Sequence, residues 1–210
     1  MWNWLTEHSD PLNVLLSALM LVVWALYFQL LLSGYRRSRR CKILINRANG
    51  HSLATRCAVT NMSTEAIYIE GVIAELQGKT PEERIICSLT DHGGRVDPTR
   101  VSDEDGYQGP LGSGEAVELG SYRQIIKHAQ EQGDGHISVL RRLRLTVVAT
   151  YGPEDRPVAA ERDYDIVERN GKRVLLSEMV VTRQVRSAFE RRQIEQLMRE
   201  QAAARTVGGE

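Results

Sequence analysis

Hydrophobic and polar positions follow three rhythms along this chain. From Pro11 to Tyr35 no residue is charged. From Cys41 to about residue 181 apolar residues recur every second position, and after that the chain is dense in Arg, Glu, Gln and Ala. About 20 apolar residues at 1.5 Å rise cross a hydrocarbon core, and Leu12 to Leu32 is long enough. The first rhythm therefore predicts a transmembrane helix over residues 11–35.

The second rhythm predicts antiparallel strands. In Leu53–Thr60, Leu53, Cys57 and Val59 share one phase while Arg56 and Thr60 hold the other. Asn61–Glu65 is turn chemistry, and Ile67–Leu76 alternates again, with Gly71 marking a bulge. Arg84–Leu89 and Ala116–Leu119 are further strands. In Ile137–Tyr151, Leu143, Leu145, Val147, Ala149 and Tyr151 form one face. The turn Gly152–Pro157 leads to Val158–Val167, and Asn170-Gly171 is a strong hairpin signal before Lys172–Leu176. About seven short strands separated by turns predict a β-sandwich over residues 43–181. The segment Val59–Ser63 followed by Ile67-Tyr68-Ile69 resembles the strand–turn–strand openings of immunoglobulin-like sandwich domains. That resemblance implies a fold and no function. The Cys–Trp–Cys pattern of antibody domains is absent, because the three Trp are residues 2, 4 and 24.

Two segments inside this region break the alternation. Residues 91–114 form a long loop rich in Gly and Asp, and loops of that length are functional or disordered. Tyr122–Gln132 reads as a short helix, with Ser121 as N-cap, Ile125, Ile126 and Ala129 as its apolar patch, and Gly133 as its stop. The third rhythm predicts a C-terminal helix over 182–205 and a flexible tail over 206–210. Along that helix Val185 and Phe189 point one way and Ile194, Leu197 and Met198 roughly the other. The reading is that its first turn or two docks on the sandwich and that the later part, with Ile194, Leu197 and Met198, meets a partner or stays exposed to solvent.

Charge orients the first helix. Arg36, Arg37, Arg39, Arg40 and Lys42 follow it at once, in the juxtamembrane segment 36–42. The other flank, residues 1–10, has no Lys or Arg and carries Glu7, His8 and Asp10. Cationic flanks stay in the cytoplasm, so residues 1–10 face outward and the β-rich domain lies in the cytosol, making this a single-pass protein of the cell membrane. A cleaved signal peptide would need a positive start and a shorter apolar core. Trp2, Trp4 and Tyr35 suit the two membrane interfaces. Within the span, Asn13, Ser17 and Gln29 are polar and are candidates for helix–helix contact.

Composition narrows the function classes. With 27 basic and 27 acidic residues the formal net charge is zero, which argues against a nucleic-acid partner. Cys41, Cys57 and Cys87 are widely spaced, an odd count that fits a reducing compartment. Cys57 and Cys87 fall on the apolar phase and read as small buried hydrophobes. Neither a P-loop nor H-E-x-x-H occurs, and Gly112-Ser113-Gly114 lies in a loop rather than at a strand-to-helix elbow. His51, His92, His128 and His136 are dispersed, and His92 beside Asp91 points away from it in an extended chain. Asp103-Glu104-Asp105-Gly106 lacks the spacing and terminal Glu of a calcium loop. Asn61-Met62-Ser63 is a glycosylation sequon that matters only if the domain faces outward. These observations predict no cofactor and no catalytic or metal site. They point to a membrane-anchored interaction or scaffold module whose partners are the bilayer and a protein, either another chain or its own copy. A ligand sensor using the 91–114 loop is the alternative, and an enzyme the third reading.

Overall fold

A computed structural model describes residues 9–38, 40–48, 50–89, 108–133, 135–154, 156–169, 171–177, 179 and 181–208. The chain divides into two compact units, Met1–Arg40 and Cys41–Glu210. The first contains α1 (Ser9–Ser38). Its Asn13–Tyr35 stretch of 23 residues has a mean hydropathy of 2.3, and none of its most apolar window is buried within the chain.

The second unit is mainly β. In chain order it contains β1 (Ile43–Ala48), β2 (Arg56–Asn61), β3 (Ile67–Gln77), β4 (Arg84–Ser88), β5 (Gly109–Leu111), β6 (Ala116–Ser121), α2 (Tyr122–Gln132), β7 (Arg142–Tyr151), β8 (Val158–Arg169), β9 (Lys172–Ser177), β10 (Arg183–Val185) and α3 (Ala188–Gly208). Strands β1, β2 and β6 form a three-stranded sheet, in the order β1-β2-β6. The larger sheet runs β10-β8-β7-β3-β4, with β5 added to β3 and β9 to β8. Every pairing is antiparallel. The inward phases of the strands supply the main core: Ile43 and Ile45 of β1, Cys57 and Val59 of β2, and Leu143, Leu145 and Val147 of β7 belong to a single buried cluster. The register of β3 against β7 shifts between Ile69 and Gly71, so the chain bulges at the glycine.

Helix α2 closes the core between β6 and β7. Tyr122, Ile125, Ile126 and Ala129 are its buried residues, the i, i+3, i+4, i+7 spacing of one helix face. Ser121 Oγ accepts the Gln124 amide at 3.3 Å and Gln124 Oε1 accepts the Ser121 amide at 2.8 Å, a capping box. Gly133 ends the helix, and its N–H donates to the Ala129 carbonyl at 3.1 Å.

The C-terminal segment departs from the sequence expectation. Arg183–Val185 is a strand paired with Ala159–Glu161 of β8, and the helix begins only at Ala188. Val185 is buried as a strand residue, while Phe189 is 69% exposed. The reason lies on the outer face of the large sheet. Ile73, Val148 and Ala159 make an apolar strip there, and Val185, Ile194 and the flank of Met198 cover it as a second, smaller core.

Candidate interaction surface

The outer face of the large sheet is organised by register. Glu75, Arg144 and Asp163 lie directly opposite one another on β3, β7 and β8. Arg144 Nε and Nη2 donate to both carboxylate oxygens of Asp163 at 2.6 and 3.2 Å, the two-point geometry that makes such pairs strong. That pairing holds the guanidinium charged well beyond its ordinary range. Arg84 reaches Glu75 from β4 at 2.8 Å, and Arg142 meets Asp165 at 3.1 Å. Arg183 is held by Glu190 and Glu161, which raise its pKa in that order. Six of these charged groups line a cleft of about 210 Å³ beside α3. Glu75, Arg84, Arg144, Glu161, Arg183 and Glu190 neutralise one another across it, so the ion pairs there tie strands and helix together.

Helix α3 is fastened at its start by charge. Arg191 pairs with Glu154 of the β7–β8 turn and donates from Nε to the Val185 carbonyl at 3.2 Å. Of the candidate partner contacts, Ile194 is only 7% exposed and sits on the apolar strip, with Met198 packed against it and Leu197 on the rim of the cleft. Ile194 is thus occupied within its own chain. Phe189, one turn earlier, is the large apolar side chain that this helix leaves exposed among its described residues.

The backbone edge of β1 is closed by side chains from the other sheet. Ile43 N–H donates to Gln184 Oε1 at 3.0 Å, and Gln184 Nε2 donates to the Ile43 carbonyl at 2.6 Å. Ile45 N–H donates to Thr182 Oγ1 at 3.0 Å, and the same hydroxyl donates to the Ile45 carbonyl at 3.1 Å. Arg162 donates to that carbonyl as well. The Gln184 amide therefore stands where a peptide group of a neighbouring strand would stand.

Inside the core, Tyr122 Oη donates to Tyr164 Oη at 2.7 Å, and the guanidiniums of Arg47 and Arg162 lie 5.7 and 5.6 Å from the Tyr164 ring centre. Burial pushes the Cys57 thiol up to about 12 and the Tyr164 hydroxyl up to about 12. Cys41, Cys57 and Cys87 form no disulfide and are buried, which suits structural thiols rather than nucleophiles. Among the described residues no three His, Cys, Asp or Glu side chains are grouped to hold a metal ion. The sequon residue Asn61 is fully buried. Its Nδ2 donates to the Glu65 and Leu111 carbonyls at 2.9 and 3.0 Å, and its Oδ1 accepts the Ser63 amide at 2.9 Å. In the folded domain this asparagine locks a turn and offers no acceptor for a sugar.

The remaining candidates lie outside the β unit or at its margin. Asn13, Ser17 and Gln29 are exposed on α1. Arg36 and Arg37 belong to the last turn of α1, Arg39 lies outside the described residues, and Arg40 and Lys42 are exposed on either side of buried Cys41. Residues 90–107, most of the long loop and all of its acidic run, lie outside the described residues. The chain leaves the edge of β3 at Leu89, whose N–H donates to the Val72 carbonyl at 2.7 Å, and returns at Gly109 opposite Ile69. Compared with models of protein families, with curated proteins and with solved structures, the chain matches none.

Proposed function

We propose that this is a single-pass membrane protein whose short N-terminus faces outward and whose immunoglobulin-like β-sandwich works in the cytosol as a non-catalytic interaction module. The observation that carries the reading is α1. A 23-residue apolar stretch that buries none of its most apolar window in its own chain needs an apolar solvent, and a bilayer is one. The cationic segment after it favours the cytosolic side for the domain and attracts anionic headgroups.

The sandwich reading is supported by strand order. β1-β2-β6 and β4-β3-β7-β8 reproduce the A-B-E and C′-C-F-G neighbours of immunoglobulin sheets, with α2 inserted between the strands corresponding to E and F. The interaction role is supported by how the domain uses its polar groups. Asn61, Thr182, Gln184, Tyr122 and Tyr164 are engaged in holding turns, edges and core together. The surface this reading offers to a partner is the outer flank of α3, where Phe189 is exposed on the side away from Met198. A photo-crosslinking amino acid at Phe189, in the full chain in native membranes, tests this. A discrete protein adduct at Phe189 is expected. No adduct there, together with a small molecule retained stoichiometrically through purification, would replace the module with a sensor.

A further inference from the structure

Resting on the membrane-anchor reading, we infer that α1 pairs with a second copy of itself, in parallel, along a seam centred on Gln29. At 100° per residue, Leu15, Ala18, Val22, Ala25, Gln29 and Leu32 follow alternating steps of three and four, the spacing of a left-handed helix pair. Two of these positions are alanines, which let helix backbones approach closely. The opposite flank is bulky: Met20, Trp24, Tyr27 and Leu31 lie there, with the Trp24 and Tyr27 rings edge-to-face at 6.2 Å. Asn13 and Ser17 fall on that bulky side, well away from the seam.

Gln29 supplies an independent reason for a partner. It lies six residues, about 9 Å of helix rise, from Tyr35 and therefore inside the span. Its amide is exposed on α1 and has no hydrogen-bond partner among the described residues. In hydrocarbon such a group seeks one. The chemistry favours an identical copy. Two chains inserted with the same orientation bring Gln29 to equal depth. A primary amide carries both donor and acceptor, so two of them facing across a two-fold axis satisfy each other.

The test uses the full chain in native membranes, with single cysteines walked through Ala18, Met20, Val22, Val23, Ala25 and Tyr27 under mild oxidation. The chain's own thiols at Cys41, Cys57 and Cys87 are buried and give a low background. Dimers are expected to peak at Ala18, Val22 and Ala25 and to fall at Met20, Val23 and Tyr27. Gln29→Leu is expected to weaken the pairing about three- to twentyfold, the range for a buried interhelical hydrogen bond. Crosslinks without this phase, a seam that crosslinks only to a different protein, or a chain that stays monomeric would each overturn the inference. Alkaline carbonate extraction separates this from failure of the anchor itself. A chain retained in the membrane without seam crosslinks refutes only the pairing, whereas a chain released by carbonate refutes the anchor and the pairing together.

Discussion

The closure of β1 by Thr182 and Gln184 yields the sharpest energetic prediction. Thr182 is 4% exposed and Ile45 fully buried. Thr182→Val keeps the side-chain shape but removes the acceptor of the Ile45 N–H, while the Ile45 carbonyl keeps its bond from Arg162. One buried amide left unpaired costs about 1–3 kcal/mol. Gln184→Leu strands both the N–H and the carbonyl of Ile43, so its cost is expected to be larger, about 2–4 kcal/mol. The double variant should cost less than the sum, because both residues hold one strand. For a domain of this size each kcal/mol moves the melting temperature by about 2–4 °C, so Thr182→Val should lower it by about 2–12 °C. Trp fluorescence is unsuitable, since all three Trp lie at residues 2, 4 and 24. Far-ultraviolet circular dichroism of the full chain in detergent gives the melting curve. Hydrogen exchange of the peptide over Ile43–Ala48 gives the local readout and should accelerate in both variants. If both variants melt within 1 °C of the parent and the β1 peptide exchanges unchanged, water serves that edge as well as the side chains do and the reasoning fails.

Three further outcomes follow from single features. A Cβ at Gly133 would collide with Ile85 Cγ2 and lie 2.7 Å from the Ala129 carbonyl oxygen, so Gly133→Ala should destabilise the domain by about 1–3 kcal/mol; an unchanged urea midpoint would contradict this packing. The Cys57 thiol is held at about 12 in the fold against an ordinary 9.0. Its protonated form is favoured when folded, so its contribution is fully present below pH 9 and is lost as pH rises toward 12, by about 1.4 kcal/mol per pH unit. Cys57→Ala should flatten the fall in urea stability between pH 9 and 10, and an equal slope in both proteins would refute the assignment. Leu89 and Gly109 are anchored on β3 opposite Val72 and Ile69, three residues or about 10 Å apart. Replacing residues 90–107 by four Gly and Ser residues should therefore leave the melting curve within about 1 kcal/mol of the parent, and loss of the cooperative transition would show that the segment carries packing.

What the sequence discloses here depends on whether a local pattern had to compete with a tertiary demand. Strand β3, helix α2 with Ser121 and Gly133 at its ends, and the bulge at Gly71 all lie where alternation or capping was read, because inward and outward phases differ sharply in polarity there. The segment 182–187 has helix-favouring composition yet is not helical. Arg and Gln favour helices, but pairing with β8 and the burial of Val185 prevail. A local signal existed: Ser187-Ala-Phe-Glu190 has the S-x-x-E pattern of a helix start, and the Ser187 carbonyl accepts the Arg191 amide at 3.0 Å. The Gln184 and Thr182 clamp was illegible, since the spacing to Ile43 and Ile45 spans most of the chain. Ile194 is apolar in the sequence, but its cover, the strip of Ile73, Val148 and Ala159, appears only once three strands are aligned.

The account turns on a membrane anchor with the sandwich in the cytosol, and cysteine accessibility in intact cells tests it most directly. A membrane-impermeant maleimide is applied to Asn3→Cys and, separately, to Glu82→Cys, an exposed site on the β3–β4 turn; Cys41, Cys57 and Cys87 are buried and stay silent. The account predicts that Asn3→Cys labels at once and that Glu82→Cys labels only after the membrane is opened. Labelling of Glu82→Cys in sealed cells with Asn3→Cys protected would place the sandwich outside and contradict it.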